Sequence, residues 1–516
     1  MTEPGAMEPH TPATGPLQPG ARLDVTIERA AALGRGVARV DGLTLLVARG
    51  VPGEQVTVEI ERSFPRYALA RVVAVRHAAL ARREPPCAHF AQCGGCDWQH
   101  LDYPDQLGIK RAVLAEQLER IGGVAVPAEW HLVAAPQPLA YRDKLEFTPV
   151  AVAGGYAPAF HDPSGQVRVP IAHCRLAPEA HTRLAQAVLD ALAAVGALPP
   201  PRAGAPLPLQ RLTVQGTERL DGERSAGLAV LLHLKSPGTA SEGRLRRAWQ
   251  HAVQAVLPGL TAAFPALAGL ALQFPARLGR GGARRSGPSV QVLHGPARLI
   301  KRVAGRAYRV PHTAFFQVNL DMAGTLVAHV VEQVQAAPAA PDGAPTEAAG
   351  GALADGAAGA APPGDPRPVY DLYGGVGLFA LPLAERGRRV LGVDSDREGL
   401  RAAEESARAL GLAGCRFQRA DLERAGALER LLAQHGPAAA VVCDPPRRGL
   451  AAPLVAALLA AAPPVIVYVS CDGGTFARDA ARLAPAYELA TLRGFDLFPQ
   501  THHLELVGTF RRRADA

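Results

Sequence analysis

The sequence predicts an α/β chain: a doubly wound sheet at the C-terminal end, a small N-terminal β-barrel, and an α+β central domain between them. Three observations carry this. Strand and helix patterns alternate from Val369 onward, which is the signature of a parallel sheet covered by helices. Five period-two runs crowd into residues 22–77, too short and too closely spaced for anything but a small all-β unit. Ala336 to Pro368 is an Ala/Pro/Gly tract without aromatics, unable to bury enough surface to order itself, and reads as a flexible linker. At 516 residues the chain exceeds one ordinary core, so about three domains are expected.

Composition narrows the function classes. Hydrophobic content of 48% suits globular cores. No apolar run of transmembrane length is free of charge or proline, and Met1 to Gly20 lacks the basic-then-apolar order of a signal peptide. That tail is expected to be disordered, and the protein to be a cytoplasmic monomer without a membrane partner. Net charge is +8, yet only Lys110, Lys144, Lys235 and Lys301 are lysines. From Gly243 to Leu320 there is no Asp or Glu among many arginines. Such a stretch predicts a local positive field suited to phosphates, unless acids from elsewhere in the fold neutralise it.

The runs Leu23–Glu28, Gly36–Val40, Leu43–Val47, Gln55–Ile60 and Ala68–Val75 are separated by Gly and Pro turns. Five such strands suggest a closed barrel like those of oligonucleotide-binding folds over residues 21–80. Next come Cys87, Cys93 and Cys96, the last two bracketing Gly94-Gly95. Three thiols within ten residues of a chain without an export signal point to metal rather than disulfides. Cys174 is the candidate fourth ligand. A trio plus a distant single favours a [4Fe-4S] cluster, whereas zinc, the alternative, usually takes two close pairs.

Residues 81–335 form the central domain. Tyr103 to Ile121 has helical apolar spacing, and Tyr141 to Phe147 alternates like a strand, placing Arg142 and Lys144 on one face. The C-terminal domain, residues 369–516, opens with the strand Val369-Tyr370-Asp371-Leu372 and the turn Tyr373-Gly374-Gly375-Val376-Gly377. Glycines there let a nucleotide-like ligand approach the backbone, and Asp394, ending the next strand, can accept ribose hydroxyls. Further elements follow: helix Arg397 to Leu410, strand Arg416 to Gln418, helix Leu422 to Gln434, strand Ala439 to Asp444 and helix Ala452 to Ala461. Val465 to Ser470 is a β-branched run that ends on Cys471. A lone cysteine there is more often a small buried hydrophobe than a nucleophile.

Four motifs, taken in order, reverse that balance. Asp444-Pro-Pro-Arg447 follows a buried strand, Ser470-Cys471-Asp472 ends the next, and Phe315-Phe316-Gln317-Val318-Asn319 precedes the linker. Phe498-Pro499-Gln500-Thr501-His502-His503-Leu504-Glu505 lies near the end. Together with the glycine turn they resemble the RNA uracil-5-methyltransferase family, of the bacterial 23S rRNA type that carries a TRAM domain and an iron–sulfur motif. Gly34 to Gly42 with Val51-Pro52-Gly53-Glu54 resembles the TRAM domain itself.

The resemblance implies a class I methyltransferase domain that uses S-adenosylmethionine (SAM) to methylate C5 of a uridine in RNA. It assigns Cys471 as the nucleophile that adds to C6 and Glu505 as the base that removes the C5 proton. Gln317, Tyr373, Gly375, Gly377, Asp394, Asp421 and Asp444 become cofactor contacts, and Cys87, Cys93, Cys96 and Cys174 the cluster ligands. His502 and His503 are expected to hydrogen-bond structurally rather than act as the base. The family pattern is broken at Gly374, where Cys or Ser is usual, at Leu378, where a polar residue often contacts SAM, and at Gly473-Gly474 after the nucleophile. Large-subunit rRNA is the expected substrate; tRNA methylation and an inactive RNA-binding assembly factor are the rivals. A cytosine-C5 enzyme is disfavoured because Cys443 precedes the Asp-Pro turn instead of following it.

Overall fold

The computed structural model describes residues 17–127, 130–202, 207–218, 226–235, 242–278, 284–286, 288–337 and 365–514. The tail reading for residues 1–16 and the linker reading for 338–364 lie outside the described residues. By its contacts the chain falls into two compact units. One holds residues 17–90, 96–116 and 499–502; the other holds 91–95, 117–498 and 503–514.

In the first unit, strands Arg22–Thr26, Gln55–Ser63, Tyr67–His77, Leu43–Ala48, Arg35–Val40 and the short Arg29–Ala30 form one sheet in that spatial order. The sheet wraps a core of Val25, Ile27, Ala38, Leu45, Val47, Val56, Val58 and Ile60, which are the inward positions of the period-two runs. Leu17 is buried in the same core and Gly20 donates its amide to Ile60 O at 2.8 Å, so ordered structure begins inside the stretch read as tail. Glu54, fully buried, is matched by Arg82 through two hydrogen bonds and by the amide of Val51.

The second unit contains two large sheets. The strands of the first, in spatial order, are Arg168–Pro170, Gly155–His161, Lys144–Val152, Leu209–Glu218, Ala226–Leu234, Leu267–Phe274 and Ser289–His294. Helices Glu179–Ala194 and Glu242–Ala263 cover it, with Leu184, Val188, Leu189, Trp249 and Val253 in the shared core. The strand foreseen from Tyr141 starts only at Lys144, and Lys144 pairs with Glu146 at 2.9 Å.

The acid-free stretch does not keep all of its charge. Arg298 pairs with Glu398 and Glu405, Lys301 with Asp143, Arg302 with Glu218 and Arg306 with Glu385. Acids distant in sequence thus neutralise Arg298, Lys301, Arg302 and Arg306, which narrows the expected positive field of residues 243–320 without removing it.

The other sheet carries the site. Its strands are β1 (His131–Val133), β2 (Val369–Leu372), β3 (Val390–Asp394), β4 (Cys415–Arg419), β5 (Ala440–Cys443), β6 (Val465–Ser470), β7 (Tyr487–Phe495) and β8 (Glu505–Arg512). Their spatial order is β4-β3-β2-β5-β6-β8-β7-β1. Strands β2 to β6 run parallel, and the apolar runs of β5 and β6 suit a sheet buried on both faces, while β8 is antiparallel to both β6 and β7. Helices α1 (Leu320–Gln335), α2 (Ala380–Glu385), α3 (Arg397–Ala409), α4 (Ala427–His435), α5 (Ala452–Ala461) and α6 (Gly473–Leu483) accompany it. The helix expected from Leu422 starts at Ala427, because Gly426 adopts φ +75 and breaks the turn before it.

Candidate active site

The site lies at the carboxyl ends of β2, β3, β5 and β6, where open α/β sheets bind ligands. Pairing aligns those ends: Leu372 sits beside both Val393 and Cys443, and Cys443 beside Tyr468. The residues that follow, Tyr373, Asp394 and Asp444, therefore leave the sheet at one level.

Strand β8 brings the last piece because it runs the other way. Ser470 pairs with Leu506, so the next residues in register are Cys471 and Glu505. A C-terminal strand end and an N-terminal strand start thus meet at the same edge. Asp472 caps α6 through Thr475 N at 2.7 Å, which turns the chain sharply away beyond the thiol.

The glycine turn is built around two carboxylates. Gly375 N donates to Asp394 Oδ2 at 3.0 Å and Asp396 N to Oδ1 at 2.7 Å. Gly375 and Gly377 have φ of +51 and +84, and a Cβ on Gly377 would press Ala403 and Leu381 at 3.3 Å. Asp371, fully buried, accepts Ala380 N at 3.0 Å, while its Oδ1 has no partner. At Gly374 a Cβ would stand 3.0 Å from Asp371 Oδ2 and 3.1 Å from Asp371 O, so glycine relieves crowding here. Leu378 is buried, and only its carbonyl is engaged, by Tyr308 OH at 3.1 Å.

Gln317 is buried, and the two residues after it are anchored. Asp143 N donates to Val318 O at 2.7 Å. Asn319 caps α1 at Met322 N and donates its amide to Leu497 O at 3.2 Å. Asp421 is exposed and paired with Arg424 at 3.1 Å, on the wall of a pocket of about 560 Å³ that Ser395, Gln418 and Leu431 also line.

Crowded acids set the electrostatics. Burial, and secondarily Asp394, raises the Asp444 carboxyl to about 7. Burial also pushes Glu505 well up, with Asp444 adding and Arg447 opposing. The Cys471 thiol is raised to about 11 by burial, with Glu505, Asp444 and Asp472 adding and Arg447 opposing. Arg447, exposed and 3.3 Å from His503 Nε2, is the cation that opposes both upward shifts. A thiol raised this far favours its protonated form at neutral pH. The thiolate requires the proton to leave or the acids to be neutralised. Cys443 is fully buried, and Cys415 is raised to about 12 by burial with its thiol on Ala380 O.

None of the seven cysteines is joined in a disulfide. Among the described residues no three His, Cys, Asp or Glu side chains are gathered as a metal ion requires. Cys93 accepts Gly95 N at 3.4 Å and Cys96 accepts Gln99 Nε2 at 3.0 Å.

Comparisons with known proteins agree with this arrangement. Residues 363–513 match the tRNA (Uracil-5-)-methyltransferase family model and residues 16–73 the TRAM domain. An RNA methyltransferase of Gloeobacter violaceus is 31% identical, covering 96% of this chain and 99% of its own. The chain belongs to the SAM-dependent RNA uracil-5-methyltransferase family. The 23S rRNA (uracil(1939)-C(5))-methyltransferase RlmD of Azoarcus sp. is 30% identical over 93% of this chain and 97% of its own. The Pyrococcus abyssi tRNA (uracil-54, C5)-methyltransferase, solved with S-adenosyl-L-homocysteine, shares the fold. Its TM-score is 0.64 at 22% identity, covering 94% of this chain and 99% of that one.

As a SAM-dependent RNA uracil-5-methyltransferase, the protein also ties its C-terminal motif down by hydrogen bonds that sequence reasoning missed. Asp97 Oδ2 accepts His502 N and Nδ1 at 3.0 and 2.7 Å, and Gln500 exchanges two hydrogen bonds with the Gln106 side chain, all inside the first unit. His502 is therefore engaged structurally. Nothing in the spacing of residues some four hundred positions apart announces these bonds. Among the described residues no helix is long and apolar enough to cross a membrane.

Proposed function

We propose that this RNA uracil-C5 methyltransferase modifies large-subunit rRNA through a covalent adduct between Cys471 and C6 of the target uridine. The observation that carries the reading is the register of β6 and β8, which sets Cys471 beside Glu505 at the sheet edge where Asp444 also ends its strand. C5 of uracil is a weak nucleophile. Addition of the Cys471 thiolate to C6 makes an enolate, and C5 then takes the methyl group of SAM. Glu505 removes the C5 proton, the Cys471–C6 bond breaks, and 5-methyluridine and S-adenosylhomocysteine are released.

SAM would be held by the amide-rich turn at Tyr373, Gly375 and Gly377, by Asp394 at the ribose, and by Gln317, Asp421 and Asp444. Burial raises the Glu505 carboxyl well above its ordinary value, which strengthens it as a proton acceptor once ionised. The rRNA assignment draws on the near-full-length relatives named for 23S rRNA. Such a substrate would place the protein, as a monomer, in the cytoplasm. Cys87, Cys93, Cys96 and Cys174 stay the candidate thiolates for a [4Fe-4S] cluster on spacing and family resemblance. The N–H donors on Cys93 and Cys96 suit thiolates. No step above passes through a metal. Iron and sulfide assayed on anaerobically purified protein should exceed zinc; zinc alone would reverse that assignment.

The deciding experiment maps 5-methyluridine in rRNA and tRNA with and without the gene, and with Cys471→Ala. Loss at an rRNA site in both backgrounds supports the reading. Loss in tRNA moves the substrate, and no change in either RNA overturns it in favour of an RNA-binding factor.

A further inference from the structure

We infer that Asp479 is a positioning residue, whose carboxylate locks the Asp444–Leu450 loop onto the helix that begins just after Cys471 and so fixes Arg447 relative to that thiol. The inference rests on Cys471 being the nucleophile. Asp479 lies on α6, fully buried, and nothing in the proposed chemistry uses it. Its Oδ2 accepts the Tyr468 hydroxyl from β6 at 3.0 Å and the Leu450 amide at 2.8 Å. Arg478 and Arg482, its neighbours on the helix, ion-pair with it.

The same helix grips the loop at further points. Arg478 donates to Arg448 O at 2.7 Å, Arg482 to Leu450 O at 3.4 Å, and Thr475 Oγ1 to Arg447 O at 3.1 Å. Three loop carbonyls and one loop amide are thus held by a single helix, and the buried carboxylate orients two of the four side chains that hold them. Gly449 takes φ +76 where a Cβ would overlap Thr475, Asp479 and Arg478, so the loop is pressed onto the helix as closely as glycine allows. Tyr468 is three residues before Cys471, so the carboxylate also touches the strand that delivers the nucleophile.

This arrangement has a chemical consequence. Arg447 is the cation that opposes the upward push on the Cys471 thiol, and its backbone rests on the first turn of α6. A loop free to shift would carry that charge away from the thiol and from the uridine. A displacement of about 1 Å in a reacting constellation costs on the order of 100-fold in rate.

The test uses the intact chain and reads Cys471 directly. The pH profile of iodoacetamide modification of the Cys471 peptide is followed by mass spectrometry for wild type, Asp479→Ala and Asp479→Asn, alongside kcat and KM for SAM. Asp479→Ala should move the alkylation midpoint upward, slow modification severalfold at pH 8 and lower kcat about 100-fold with KM for SAM unchanged. Asp479→Asn, which can still accept from Tyr468 and Leu450, should recover much of this. An Asp479→Ala profile matching wild type, or kcat lost only in proportion to unfolded protein, overturns the inference. If Asp479→Ala does not fold, Tyr468→Phe removes one bond to the carboxylate and should shift the midpoint the same way by less; no shift overturns it equally. Wild type that forms no covalent complex with 5-fluorouridine RNA, whose C5 fluorine a base cannot remove, counts against the nucleophile. An unshifted profile in an enzyme that does form the complex counts against Asp479 alone.

Discussion

Cys471 and Glu505 stand next in register beyond the Ser470–Leu506 pair, at one edge of two antiparallel strands. The sheet itself thereby sets a thiol and a carboxylate side by side, as the proposed attack and proton removal need. Removing either should block turnover at a different stage. Cys471→Ala should abolish both methylation and the denaturant-resistant RNA complex. Glu505→Gln should cut product formation at least about 100-fold while accumulating that complex on unmodified RNA, visible as a slow band on denaturing gels. A Glu505→Gln enzyme with normal turnover and no adduct would remove Glu505 from the mechanism.

The thiol also predicts a pH dependence. A group raised to about 11 is neutral below that value, so its thiolate fraction grows about tenfold per pH unit through the neutral range. Modification of Cys471 in the RNA-free enzyme should therefore rise steadily from pH 7 to 10. A plateau near pH 7 would mean that the surrounding acids do not act on it as described.

Asp394 ties the glycine turn to the end of β3 through Gly375 N. Asp394→Ala should weaken SAM binding by about 2 kcal/mol, roughly thirtyfold, while leaving RNA affinity unchanged. Calorimetric titration with SAM, and filter binding with RNA, separate these effects.

Asp371 should limit stability in one direction of pH. Burial, reinforced by Asp444, raises its carboxyl to about 8 from an ordinary 3.8. The folded chain therefore holds this proton more tightly than the unfolded chain. Its contribution is neutral below the unfolded value and opposes folding increasingly as pH rises towards about 8. Asp371→Asn removes that titration. The variant should melt about 4 °C above wild type at pH 8 and close to it near pH 4, as scanning calorimetry can follow.

In the first unit, Glu54 has no solvent to turn to if Arg82 is removed. Arg82→Ala should destabilise that unit by about 3 kcal/mol. Hydrogen exchange would show it as faster loss of protection at Gln55–Ser63, with the β2–β6 amides unaffected.

Much of the catalytic sheet was legible because parallel strands buried on both faces leave long β-branched runs, as Val465 to Ser470 does, and because α5 has an apolar helix pattern bounded by turns. The glycine turn and Asp394 were legible for a similar local reason, since positive φ and a strand-end acid are written in neighbouring residues. The start of α4 was not: Leu422 is buried as a helical residue would be, but the left-handed Gly426 delays the helix to Ala427. The neutralised part of the arginine-rich stretch was not legible because Glu218, Glu385, Glu398 and Glu405 lie far from Arg298, Arg302 and Arg306 in sequence.

The sequence by itself determined the period-two barrel, the alternating α/β domain, and the order of motifs that places a thiol, an Asp-Pro-Pro turn and a C-terminal glutamate in one family. These are local features, set by side-chain periodicity and backbone preference. Only the tertiary structure decided that β8 runs against β6 and sets Glu505 beside Cys471, that Asp479 holds the Arg447 loop, and that distant acids neutralise part of the basic stretch. Such relations depend on strand direction and on pairs brought together across the fold, and no short-range pattern encodes a partner a hundred residues away.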